Sequence, residues 1–198
     1  MGLDLDETNG QTPLNEEEKE GLLISSVTTR GELDEFEQQN IEKAVEWSLK
    51  RRFTQEEILT EDFVRELHRR MYNDVWKWAG EFRRTNKNIG VDKLEIGIEL
   101  KKLFGNTQFW IEKSAFPPDE IAVRFSLRIV SIHCFSNGNG RHARLIADIM
   151  VSHIFNRPTF TWGSTNLGGK GDARASYLAA LRHADEGNIA PLVAFARA

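Results

Sequence analysis

The string HCFSNGNGRHAR, residues 133–144, concentrates the side chains of this sequence that could do chemistry. Gly138 and Gly140 bracket Asn139, His133 stands five positions before the first glycine, and Arg141 and Arg144 follow three apart. The glycines tolerate positive φ and carry no side chain, so a ligand can approach the backbone. A helix that begins near Asn139 offers unpaired N–H groups and the positive end of its dipole to an anion. Arginines three apart share one helical face and bring two forked donors to further phosphates. The string therefore reads as a polyphosphate cradle. His133, at the end of the preceding segment, stands where a base can take a proton from an attacking hydroxyl. The common P-loop pattern is absent, because no Lys-Ser/Thr follows the glycines.

Such a loop needs rigid flanks, and the sequence supplies two. Residues 119–132 put Ile121, Phe125, Ile129 and Ile132 on one side and Val123, Leu127 and Val130 on another. Only Glu120, Arg124, Arg128 and Ser131 form a polar stripe, which predicts a central helix. Pro118 and Asp119 suit its start. A second helix is predicted over 139–155, buried through Leu145, Ile146, Ile149 and Met150. Asp148, four after Arg144, is placed to orient that arginine.

The remaining segments also show helical spacing. Asn15 with Glu18 is a capping signature. A long helix is expected over 32–52, with Leu33, Phe36, Ile41, Val45 and Leu49 as its apolar stripe. Thr60 caps a helix with Phe63, Leu67 and Met71 on one face, Trp76 and Trp78 beyond, and Gly80 at its end. Further helices are expected over 95–111, 172–184 and 189–197. The stretch EFRRTNKNIGV, 81–91, is polar, Asn-rich and locally basic, and reads as a hairpin or flap. Residues 1–14 read as mobile, and 156–171 as a long glycine-rich connection. The fold class expected is all-α with one small β-hairpin.

Composition narrows the function classes. The 198 residues suffice for one domain or a domain with an extension, here divided at 1–40 and 41–198. A net charge of −4 argues against a general nucleic-acid binder. Cys134 is the single cysteine, so no internal disulfide forms, and a reducing, cytoplasmic compartment is expected. The acidic start MGLDLDETNG lacks a signal-peptide core, and every long apolar stretch is broken by Arg, Asp or His, so no membrane span is expected. No His/Cys cluster suggests a structural metal, and His68, His142, His153 and His183 read as ordinary core or surface residues.

The full pattern H-x-F-x-x-G-N-G-R-x-x-R is met at His133, Phe135, Gly138, Asn139, Gly140, Arg141 and Arg144. On these seven positions the sequence resembles the Fic/Doc family over roughly residues 40–197. From NGQTPLNEEEKEGLL through WKWAGEFRRTNKNIGVD it is similar to the subgroup labelled mobile mystery protein B. The resemblance implies a helical bundle around two central helices joined by the signature loop. It implies transfer of AMP from ATP to a Ser, Thr or Tyr hydroxyl of a target protein. His133 would be the general base, Asn139 and the loop amides would bind the α-phosphate, Arg141 and Arg144 would hold the outer phosphates, and Phe135 would anchor the loop. Gly140, where the divergent kinases of the family carry lysine, favours AMP transfer. Alternatives are transfer of another nucleotidyl or phosphoryl group, and a weakly active nucleotide-binding regulator.

Two positions depart from the family pattern. Cys134 replaces the usual proline and is expected to pack as a small apolar residue. Asn137 replaces the acid that commonly ligates Mg²⁺, and offers an amide oxygen without charge. The flap residues Thr85, Asn86, Lys87, Asn88, Ile89 and Gly90 are implied to dock a target segment by strand pairing. A homo-oligomer or a regulatory partner is compatible with the resemblance. Many relatives are held off by a glutamate in an [S/T]-x-x-x-E-[G/N] helix. Thr28 and Glu32 approximate that pattern, with Glu35, Glu37 and the Glu186-Gly187 pair as alternatives.

Overall fold

The computed structural model describes residues 15–164 and 172–198. The segment expected to be mobile, 1–14, and the glycine-rich end of the connection, 165–171, lie outside the described residues.

Side-chain caps set the starts of the first four helices. Asn15 and Glu18 exchange bonds with each other's backbone N–H and open α1 (Glu16–Lys19). Thr29 with Glu32 does the same for α2 (Arg30–Leu49), and Thr54 with Glu57 for α3 (Gln55–Ile58). Thr60 caps α4 (Glu61–Tyr72) as expected. A 3-10 turn at Lys93–Glu95 leads into α5 (Ile96–Glu112). Pro118 stands at the first position of α6 (Pro118–Ile132), where its missing N–H costs nothing. The loop follows, then α7 (Asn139–His153), α8 (Asp172–Asp185) and α9 (Ala190–Arg197).

α6 and α7 pack side by side along the centre, with α5 and α9 against α6, and α3 and α4 against α7. α2 lies on α4, and α8 pairs with α9. The C-terminal end is stitched to the start of α6, where Asp119 takes ion pairs from Arg157 at 3.0 Å and Arg197 at 2.6 Å.

Three local expectations change. α4 stops at Tyr72 rather than Gly80, because Asn40 of α2 donates to Arg70 O at 3.0 Å and accepts from Asp74 N at 2.9 Å. Those bonds take the backbone groups that the next helical turn would use. Gly80 instead lets the chain fold back on α4: its φ is +80°, and a Cβ there would lie 2.8 Å from Arg69 Cβ.

The buried face of α2 is Leu33, Glu37, Asn40, Ala44 and Ser48, which shares only Leu33 with the apolar stripe read from spacing. Phe36 and Leu49 are exposed, while Ile41 and Val45 flank the contact. Polar partners outrank hydropathy here, since Glu37 and Asn40 each bond to the adjoining elements.

The hairpin at 81–91 is not formed. Its two ends bond to the chain at and just past the end of α6 rather than to each other: Val91 N to Ile132 O at 3.3 Å, and Arg83 N to Cys134 O at 2.9 Å. The Arg83 side chain ties the two arms together, donating to Thr85 O at 2.9 Å and to Val91 O. Among the described residues the sole β pairing is an isolated antiparallel bridge, Leu22 with Trp76. That bridge belongs to a strap running from α1 across residues 75–78, which also joins Leu23 N to Val75 O and Lys77 N to Gly21 O.

Under the loop lies a cluster of neutral imidazoles. His68 Nδ1 accepts from Gly80 N at 3.0 Å, so the proton sits on Nε2, which donates to Asn137 O at 3.1 Å. Its ring stacks on Phe135, with centroids 3.7 Å apart. His142 Nε2 bonds Val64 O at 3.0 Å. Burial, then the neighbouring His142 imidazole and the Arg141 guanidinium, drives His68 far below the ordinary histidine range. Burial brings His142 down to about 4, and His133 also to about 4, helped by Arg83 and Lys87. Asp148 on α7 works in the opposite sense, since burial lifts it to about 7.

The pH dependence of stability follows. In the unfolded chain all three imidazoles protonate near pH 6.5, while in the folded chain they stay neutral until far lower. Their contribution is complete above about pH 6.5 and is lost as pH falls toward 4. Asp148 offsets one of the three. The melting temperature is therefore expected to fall between pH 6.5 and 4.5. A flat or rising profile over that window would contradict neutral buried imidazoles.

Candidate active site

The site is built on a loop with a left-handed residue at each end. His133 closes α6 at φ +59°, and Gly138 opens α7 at φ +77°. His133 is a non-glycine held in a sparsely populated conformation, and such a residue needs support from its surroundings. Arg83 gives that support: its Nε donates to His133 O at 2.6 Å, and its backbone N–H binds Cys134 O. Gly90 of the flap packs on the other side, where a Cβ would lie only 2.7 Å from His133 Cβ. The His133 imidazole is thus wedged between loop and flap, bonded toward Val130 and neutral at pH 7.

Asn139 braces the loop from inside. Its Oδ1 accepts from Phe135 N at 2.9 Å and its Nδ2 donates to Phe135 O at 2.8 Å, like one rung of a β-ladder. The side chain is buried and both ends are engaged. Where the sequence suggested that this amide binds a phosphate, the structure shows it closing the loop. Phe135 is fully buried among His68, Phe82 and His142. Cys134 is also fully buried, as expected of a small apolar substitute for proline.

The cation side of the cradle is partly engaged. Arg141 pairs with Glu37 at 2.6 Å, and the Glu37 carboxylate also accepts from Trp76 Nε1 at 2.6 Å. Glu37 is 2% exposed, so its charge is held inside the protein by this pair. Arg144 lies half-buried with its guanidinium 5.3 Å from the Tyr177 ring centroid. Asp148 does not orient Arg144 through a hydrogen bond. It accepts instead from Phe160 N and Trp162 Nε1, both at 3.1 Å, and fixes the chain after α7.

Glu32 is not the glutamate at the cradle. Its carboxylate accepts from Thr28 N at 2.9 Å and Thr29 N at 3.0 Å as the capping residue of α2, and it is exposed. Glu186 lies at the end of α8 beside His183, 3.7 Å away. The residue that reaches the site is Glu37, and it meets the first signature arginine rather than Arg144. Glu37 is five residues past Glu32, well over one helical turn, and its Trp76 partner is 39 positions away. Neither His68 nor Arg83 stood out in the sequence as a support of the loop. Their partners lie 69 and 50 residues along the chain, which leaves no local signal.

The flap is pinned from outside. Lys87 forms a buried ion pair with Glu18 of α1 at 2.5 Å, and Trp78 Nε1 donates to Glu18 O at 3.0 Å. Asn86 accepts from Lys93 N at 2.8 Å and donates to Asp92 at 2.7 Å. Asn88, Ile89 and Gly90 are exposed beside His133. Thr85, Asn86, Lys87, Asn88, Ile89 and Gly90 are thus together at one edge of the loop, as a tethered strap.

The residues do not make a protein-held Mg²⁺ site. Asn137 offers one neutral oxygen, which already accepts from Gly138 N at 2.6 Å, and its carbonyl is taken by His68. No group of three or more His, Cys, Asp or Glu side chains among the described residues could hold a metal ion.

Comparison with known proteins agrees with this architecture. The model of the Fic/DOC family matches residues 58–151. "Protein adenylyltransferase Fic" of Aedes aegypti is 28% identical over 143 residues, which is 70% of this chain and 27% of that protein. The Drosophila grimshawi protein of the same name is 29% identical, over 70% of this chain and 28% of its own length. The chain thus spans about a quarter of the length of the curated relatives it matches. Among solved structures, Fic-1 from C. elegans superposes with a TM-score of 0.69 at 22% identity, covering 90% of this chain and 51% of that one. BepC from Bartonella tribocorum, solved with bound AMPPNP, gives 0.67 at 16% identity, covering 92% and 97%. These structures share the fold of two central helices joined by the loop. The loop residues, the family match across α4 to α7 and the shared fold converge: over residues 58–151 the chain is similar to the Fic/DOC family.

Proposed function

We propose that the chain transfers AMP from ATP to a hydroxyl group of a target protein. The observation that carries this reading is the placement of neutral His133 beside the amino end of α7, with Arg141 and Arg144 on the same helix. The named function of the adenylyltransferase relatives supports it. In the reaction the hydroxyl oxygen attacks the α-phosphorus of ATP. The bond from that phosphorus to the bridging oxygen of the β-phosphate breaks, and pyrophosphate leaves. His133 takes the hydroxyl proton. The N–H groups of the first turn of α7 face the developing charge, and Arg141 and Arg144 draw off the leaving group. Gly140 leaves room for this, because a Cβ there would meet only Arg144 Nη1, at 3.8 Å. Asn139 acts by holding the loop, and no step is assigned to a metal.

Glu37 acts as a brake in this scheme. Arg141 cannot serve the outer phosphates while it is held in the pair with Glu37. The flap presents Asn88 to Gly90 to an extended target segment by strand addition, an interaction supported by their exposure next to the base. The extension expected at 1–40 carries this brake, although α2 runs unbroken across position 40. A second reading, a nucleotide-binding regulator with little transfer activity, is favoured by the neutral Asn137.

ATP labelled at the α-phosphate and, separately, at the γ-phosphate distinguishes these readings. α-label on protein is expected, and γ-label alone would indicate a kinase. His133→Ala should lose at least about 100-fold in α-labelling while keeping its melting temperature. Undiminished labelling would remove His133 as the base. Glu37→Gln keeps an acceptor for Trp76 and deletes the charge. It should raise self-labelling by roughly tenfold or more, equivalent to ~1.4 kcal/mol. Equal labelling by Glu37→Gln and wild type would place the brake elsewhere. No label from either protein would favour the regulator.

A further inference from the structure

Tyr72, the last residue of α4, is 1% exposed, and its hydroxyl has no hydrogen-bond partner among the described residues. A buried unpaired hydroxyl is destabilising, and phenylalanine would fill the same space without that cost. The position of this hydroxyl is specific. A Cβ on Gly138 would lie 2.6 Å from the Tyr72 oxygen, so the phenol presses on the N-cap of α7. The Arg141 guanidinium covers its ring at 5.3 Å. Arg144 and Arg30 also act on the phenol electrostatically, and Glu37 is the one acid among the charges that do so. An unpaired O–H donor, the amino end of a fifteen-residue helix and three arginine charges meet at one place. Together they form a donor set for an oxyanion.

We propose that the Tyr72 hydroxyl donates a hydrogen bond to a phosphate oxygen of the nucleotide bound at the amino end of α7. This rests on the nucleotide-transfer reading of the site and adds a ligand to it. In the resting state the Arg141–Glu37 pair lies over the phenol and seals it from water. When Arg141 leaves Glu37 for the phosphates, the same movement uncovers the hydroxyl. Tyr72 thereby makes phosphate binding and release of the brake one event. Each favours the other by the same factor. A water in place of the phosphate would satisfy the hydroxyl equally well, but it would not distinguish ATP from adenosine.

The test compares wild type and Tyr72→Phe in calorimetric titrations with ATP and with adenosine, alongside melting temperatures without ligand. Tyr72→Phe should bind ATP about tenfold more weakly, equivalent to ~1.4 kcal/mol. Its adenosine affinity should be unchanged, and its melting temperature equal to or above that of wild type. Equal ATP affinities overturn the proposal. A parallel loss for ATP and adenosine also overturns it, because that pattern marks packing rather than a phosphate contact. Failure of the wild-type protein itself to bind ATP removes the underlying reading of the site, and is seen before any substitution is made.

Discussion

A short loop placed between two buried helices must satisfy its own backbone, and this requirement organises the structure. Residues 133–138 cannot use a helical ladder, and little water reaches them, so each polar group needs a partner from elsewhere. Asn139 supplies both partners for Phe135. Arg83 takes His133 O and Cys134 O, and His68 takes Asn137 O. These tethers come from α4, α7 and the flap, so the loop has its shape only when all three are docked. A phosphate cradle gains from this: amide groups that are fixed before the ligand arrives need no reorganisation when charge develops on it.

The α2 helix is held by different physics. Its buried face carries Glu37, Asn40 and Ser48, with Leu33 and Ala44 as the apolar part; Asn40 bonds to α4, and Glu37 to Arg141 of α7 and Trp76. A buried ion pair such as Glu37–Arg141 adds little net stability compared with an apolar contact of similar volume, because two charges must leave water. Breaking one side of it is nevertheless costly, since the other charge is left buried. A helix docked in this way is specific in register yet only modestly bound. An anion that offers Arg141 a replacement partner can compete for it, whereas an apolar contact would be indifferent to charge. The chemistry of the α2 seam is therefore suited to exchange with phosphate.

Much of the architecture was legible from one sequence. The central helices α6 and α7, the caps at Asn15 and Thr60, and the loop itself followed from apolar spacing and local hydrogen-bonding chemistry. These signals are contained within a few residues. What stayed hidden depended on partners far along the chain. The polar face of α2 could not be read from hydropathy, because Glu37 and Asn40 look solvent-facing until Trp76, Arg141 and Asp74 are placed around them. Glu32 fits the motif but is spent as a cap, where its carboxylate meets Thr28 and Thr29. The flap reads as a hairpin because it is polar and ends in Ile-Gly-Val. Arg83 instead takes the place of the missing ladder, and nothing within the segment shows which way that side chain turns.

The same Arg83 sets a constraint on the chemistry. It must lie against His133 to hold the left-handed backbone, and its charge there helps push the imidazole down to about 4. Lys87 acts in the same direction, its charge tempered by the buried partner Glu18. The loop's support thus makes the His133 imidazole weakly basic as well as neutral. A weak base serves a reaction in which the incoming oxygen loses its proton late, after bond breaking at phosphorus is well advanced. In such a reaction the larger share of catalysis falls to the groups that hold the phosphates in line and stabilise charge on the leaving group. In the reaction proposed for this chain those groups are the amino end of α7 and its two arginines, the side of the site where Glu37 pairs with Arg141.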